Sequence, residues 1–178
     1  MRENIVFTLT GPDRVGIVET VTGMLLNRGG NVETSRMARL GGEFAILMLV
    51  SMPPDQLDGL SGDIEKLAAQ GYKVTTGRTG RTYAEAHAGW LPYQIEVQGA
   101  DHEGIIHEVS RYLSERGINI ESMETETSHA PVSGAPLFSM TALVAVPSEL
   151  CGKGWEIDLE EMGNQLNVDI KVSAAGKH

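Results

Sequence analysis

The chain repeats itself, and no other feature constrains its fold as much. Displaced by 88 residues, the distance from Gly11 to Gly99, residues 11–33 align with residues 99–121 without a gap. Ten positions are identical: Gly11/Gly99, Asp13/Asp101, Gly16/Gly104, Ile17/Ile105, Val21/Val109, Leu25/Leu113, Arg28/Arg116, Gly29/Gly117, Asn31/Asn119 and Glu33/Glu121. A period this long exceeds the unit of a solenoid, so each copy is expected to be a domain with its own core. Residues 1–77 form the first domain in this reading and residues 93–175 the second. The linker is residues 78–92, rich in Gly, Ala, Thr and Arg.

Both copies read with one order of elements. Residues 4–10 and 93–98 are strand candidates, followed by Asp13 or Asp101 in the place of a helix N-cap. Ile17, Val18, Val21, Met24 and Leu25, and in the second copy Ile105, Ile106, Val109, Tyr112 and Leu113, form the stripe of a half-buried helix. Gly29 and Gly117 end it. Strands at 31–39 and 119–127 return as strands at 43–52 and 137–146, each followed at once by Pro. Helices at 55–70 and 156–166 lead to closing strands at 72–76 and 168–172. Strand, helix, strand, strand, helix, strand is the ferredoxin-like βαββαβ unit, so the fold class is α+β, with two antiparallel sheets that each carry their helices on one face. Residues 44–50 are apolar on both faces, which predicts that the sheet face away from the helices is also covered.

Charge and composition exclude several functions. Fourteen Lys and Arg against twenty-four Asp and Glu give a net charge of −10, the wrong sign for a phosphate backbone, so direct nucleic-acid binding is not expected. The second copy is the more acidic, with Glu121, Glu124 and Glu126 on its second strand and Glu156, Asp158, Glu160 and Glu161 on its second helix. These form either a solvating surface or a face for a basic protein. The longest apolar run is far short of the roughly 20 residues that span a bilayer, and the N-terminus lacks a secretory apolar core. A single Cys151 fits a reducing compartment, so the protein is read as cytoplasmic. His102 and His107 are five apart, which on a helix points them about 140° from each other, so no metal site is expected. The glycines match neither a phosphate loop nor a dinucleotide fingerprint, and no cofactor is expected.

The segment from Leu9 to Val18, followed by Arg28-Gly-Gly-Asn-Val and Arg39-Leu-Gly-Gly-Glu-Phe, resembles the ACT domain, a small βαββαβ module that binds amino acids. Two such domains with no catalytic domain resemble the glycine cleavage system transcriptional repressor family. The resemblance implies ligand sensing through the first strand–helix loop and the start of the second strand, and control of another protein by contact. It places the candidate site on Asp13, Arg14, Val15, Gly16, Ile17 and Asn31, and on Asp101, His102, Gly104, Ile105 and Asn119. Asn31 completes the first-copy site if the contact is local, and Asn119 if the two copies face each other. Gly16 and Gly104 fit either close approach of a ligand or close packing of the helix on its strand. The two asparagines fit either a ligand contact or a turn that bonds its own backbone. Arg14 and Val15 become His102 and Glu103, which puts a carboxylate where an anionic ligand would dock and makes the second loop the weaker candidate. The expected function is a non-enzymatic regulator that binds a small amino acid, glycine being the one the resemblance points to, and acts on a transcription factor. An allosteric subunit of an amino-acid-metabolic enzyme is the alternative. The open edges of such sheets also admit a homodimer.

Overall fold

A computed structural model describes residues 2–79, 87–131 and 133–176. The chain divides into two compact units, Met1–Thr82 and Tyr83–His178. In the first, β1 (Glu3–Pro12) leads to α1 (Ile17–Asn27), β2 (Asn31–Leu40), β3 (Glu43–Met52), α2 (Leu60–Ala69) and β4 (Lys73–Arg78). In the second, β5 (Leu91–Ala100) leads to α3 (Ile105–Glu115), β6 (Asn119–His129), β7 (Pro136–Val146), α4 (Trp155–Gln165) and β8 (Val168–Ala174). The sheet orders are β2-β3-β1-β4 and β6-β7-β5-β8, antiparallel throughout. This is the βαββαβ unit expected from the repeat. No described helix is long and apolar enough to cross a membrane.

Alternation along the central strands builds each core. Ile5, Phe7 and Leu9 of β1 lie opposite Val50, Met48 and Ile46 of β3, and all six are buried. Ile17, Val21 and Leu25 of α1 and Leu60 and Leu67 of α2 close over them. Burying each such side chain contributes about 1.5–3 kcal/mol. In the second unit Ile105, Val109, Tyr112 and Leu113 of α3 do the same work, and Tyr112 donates its hydroxyl to the Trp155 carbonyl at 2.7 Å. The face of each sheet away from its helices differs between units. Thr34, Arg36, Ala38 and Leu47 of the first lie where the second has Ser122, Glu124, Glu126 and Thr141. Leu47 of this face is 48% exposed.

The structure differs from the sequence reading at several boundaries. The helix expected over residues 55–70 is a short 3-10 turn, Pro54–Gln56, and then α2, because the proline starts a tight turn before the helix axis is set. β4 continues through Arg78 and β5 begins at Leu91, both inside the stretch read as linker; residues 80–86 lie outside the described residues.

Two conserved-looking glycines of the repeat have a steric cause. A Cβ on Gly11 would lie 2.6 Å from Tyr72 Cδ1, and one on Gly99 would lie 2.7 Å from Val168 Cγ1 and 2.9 Å from the Asn167 carbonyl oxygen. Only glycine lets the closing strand start this near the central one. Gly62, within α2, has nothing within 4 Å of such a Cβ. Gly11→Ala is therefore expected to cost about 1–3 kcal/mol, and Gly62→Ala to stabilise by roughly 0.5–1 kcal/mol. Denaturant unfolding of the two variants checks both signs.

Candidate functional site

The segment joining β1 to α1 forms a shallow open depression. Asp13, Arg14, Gly16, Ile17, Val18, Glu19, Thr22 and Phe44 line it. Asp13 is not the helix N-cap. Its N–H donates to the Gly42 carbonyl at 3.0 Å, its carboxylate is 3.8 Å from Arg39 Nε, and the cap position belongs to Gly16 with no side-chain cap bond. The second unit repeats this: Asp101 N–H donates to the Pro136 carbonyl at 3.1 Å, and Gly104 is the cap residue. The aspartates tie the loop to the neighbouring hairpin instead.

Gly16 and Gly104 sit at φ 93° and 97°, the left-handed region that side-chain-bearing residues avoid. Nothing lies within 4 Å of a Cβ built on either, so neither permits close packing of helix on strand. The positive φ alone demands glycine. It lets the chain turn from strand to helix while leaving the helix end open.

The first intrahelical bond of α1 runs from Thr20 N–H to the Gly16 carbonyl at 2.9 Å, and Ile17 N–H bonds the Arg14 carbonyl at 3.3 Å. Val18 and Glu19 therefore present N–H groups with no backbone partner, at the positive end of the helix dipole. Val15, at the tip, is fully exposed. Arg14 lies with its guanidinium carbon 5.8 Å from the centroid of the buried Tyr72 ring, within cation–π range.

In the second loop His102 takes the place of Arg14 and makes different contacts. Its Nε2 lies 2.6 Å from the Leu166 carbonyl oxygen and its Nδ1 3.0 Å from the Glu103 carbonyl oxygen. These bonds, the one to Leu166 first, and then the nearby Asp101 charge raise the imidazole pKa above its ordinary value. Both ring nitrogens are engaged, so His102 is already committed within the protein.

Neither Asn31 nor Asn119 meets the loop of its own unit. Asn31 pairs with Ser51, itself opposite Asn4, while the loop leaves β1 beyond Pro12. Eight residues at roughly 3.3 Å each put Asn31 about 25 Å along the sheet from the loop. Asn119, through Ala145 and Pro92, is placed the same way relative to residues 101–105. Asn31 Nδ2 also donates to Glu33 Oε1 at 3.0 Å, and Ser51 Oγ donates to that oxygen at 2.6 Å. Ser51 first, then Asn31, lower the Glu33 carboxyl pKa, with Arg2 adding charge.

Tyr72, Phe44 and Leu166, which the sequence reading did not place at the site, are the residues the loops touch or face. Gly11 and Gly99 carried the available signal, since an unexplained glycine in a strand marks close approach of another backbone. Among the described residues no cluster of three or more His, Cys, Asp or Glu is placed to hold a metal ion. Gly16→Ala is expected to cost about 1–2 kcal/mol from the left-handed backbone alone, and Gly16→Asn to cost less. Thermal unfolding of the pair distinguishes this from a packing role, in which the larger Asn would be the worse.

Comparison with known proteins gives a consistent answer. ACT domain models match residues 3–74 and 93–147, which together make up more than half of the chain. The chain is 28% identical over 165 residues to the glycine cleavage system transcriptional repressor of Escherichia coli (strain K12), covering 84% of this chain and 87% of that protein. A crystal structure of an unknown protein from Galdieria sulphuraria is 34% identical, with a TM-score of 0.85 over 99% of this chain and 100% of that one. A structure assigned to a glycine cleavage system transcriptional repressor is 21% identical, with a TM-score of 0.71 over 99% of each chain, a likeness of fold.

Proposed function

We propose that this chain, which belongs to the ACT-domain family with two copies in tandem, is a non-enzymatic, cytoplasmic regulator that binds a small amino acid and passes its occupancy to a protein partner. The observation that carries the ligand half is the first loop: an open helix N-terminus with unpartnered Val18 and Glu19 N–H groups, beside the cationic Arg14 and the exposed Val15. An amino-acid carboxylate is the small anion such a place accepts. The site in the first unit is the loop and the first turns of α1 with Phe44, and Asn31 is not part of it within that unit. Similarity to the glycine cleavage system transcriptional repressor of Escherichia coli supports glycine as the ligand and a transcription factor as the partner.

The acidic charge supports action by protein contact, since a chain of net charge −10 repels the DNA backbone. Co-purification with a DNA-binding protein favours this reading over an enzyme subunit, which would bring down a catalytic chain instead. Val15→Glu copies the second loop's residue into the first. It is expected to weaken amino-acid binding several-fold with little change in stability, because Val15 touches solvent. Calorimetric titration with glycine and then the other amino acids checks this, and a variant that binds like the parent moves the site away from the loop.

A further inference from the structure

We propose that His102 is the positioning residue of the second loop, holding it against the turn between α4 and β8 through two hydrogen bonds while both nitrogens of its ring carry protons and through one when only a single nitrogen does. The chemistry of the partners requires this. A carbonyl oxygen only accepts, and the Leu166 and Glu103 carbonyls lie 2.6 Å and 3.0 Å from the two ring nitrogens. A neutral imidazole has one N–H and satisfies one of them; the imidazolium satisfies both. The longer reach matters more, because Leu166 is 64 residues away in sequence and ends a different element.

The repeat supplies an internal control. At the same place in the first copy, Arg14 lies over the Tyr72 ring, just past the turn between α2 and β4. Tyr72 precedes β4 where Val168 opens β8, and Gly71 with φ 95° has its counterpart in Asn167 with φ 51°. Both units thus fasten the loop to the same turn with a cation. Arginine stays charged at every physiological pH, and histidine does not.

The sign follows from the groups that face the ring. From the turn comes the neutral Leu166 carbonyl, and from the loop itself the Glu103 carbonyl and the Asp101 carboxylate, all of which favour the charged form. The folded-state pKa therefore stands above that of the unfolded chain. The two-bond fastening is complete below about pH 6.5, the ordinary imidazole value, and one of its bonds is lost as pH rises through the higher folded value. The first loop has no such dependence. That the second loop also seats a ligand rests on the function proposed above, whereas the fastening does not.

The experiment is an NMR titration of His102 in the full-length protein, with amide exchange of residues 101–104 measured from about pH 5.5 to 8.5, the range in which imidazole charge changes. His102→Gln and His102→Arg are measured beside the parent. His102 is expected to titrate above the ordinary imidazole value, and loop protection, corrected for intrinsic exchange, to fall several-fold through that same pH. His102→Arg should stay protected across the range and His102→Gln should show the parent's lower, high-pH protection across it, with thermal unfolding confirming that both are folded. Titration at or below the ordinary value overturns the proposal, as does parental protection without a pH step or a folded His102→Arg that matches His102→Gln. Glycine titration of the same samples is read separately, so absence of ligand binding would defeat the sensing function and leave these readouts standing.

Discussion

Each unit depends on a change of direction at its first strand–helix junction, where a glycine at positive φ ends the extended chain and starts the helix. Gly16 and Gly104 turn the backbone so that α1 and α3 come back over the sheet, with Ile17 or Ile105 as the first buried residue of the helix. The same turn exposes the helix N-terminus, because no side chain caps it. A Ser or Asp cap in extended backbone would have satisfied an N–H, a gain of only about a few tenths of a kcal/mol over glycine. The path of the helix and its open N-terminus are thus set by one backbone conformation, and the repeat retains glycine in both copies.

Much of the architecture was legible because the apolar stripes and the repeat agree. Ile17, Val21 and Leu25 are buried as their spacing requires, and so are Ile105, Val109, Tyr112 and Leu113. The asparagines show where sequence reasoning ran out. Asn31 follows the glycine stop closely, yet adjacency in sequence carried no information about distance from a loop at the other end of β1. Only the strand register reveals that separation. The aspartates misled for a related reason: a good N-cap residue was present, but a glycine three positions later had the conformation that starts the helix. Tyr72 and Leu166 stayed hidden because the identities of the repeat stop at Glu33 and Glu121, so the closing turns could not be aligned from sequence.

Duplication left the two units alike where the backbone is constrained and different where it is not. Glycine persists at 11 and 99 because a Cβ would strike the next strand. Three positions on, arginine in one copy stands where the other has histidine, and both side chains reach the turn before the closing strand. The requirement preserved there is a cation that fastens the loop, and the cation's identity was free to drift.

The open sheet faces extend this logic to charge. Arg36 of β2 and Glu124 of β6 occupy one position of the shared frame, each opposite an outward residue of the adjoining strand, Leu47 or Thr141. Reversal of charge at a backbone-equivalent, solvent-facing position costs little in stability, because exposed pairs contribute at most about 1 kcal/mol. It does change what the face attracts, since complementarity of charge governs the rate and selectivity of encounter more than the strength of the final contact. A frame held by buried residues common to both units therefore presents two surfaces of different chemistry, whose charge can differ between the copies without disturbing either core.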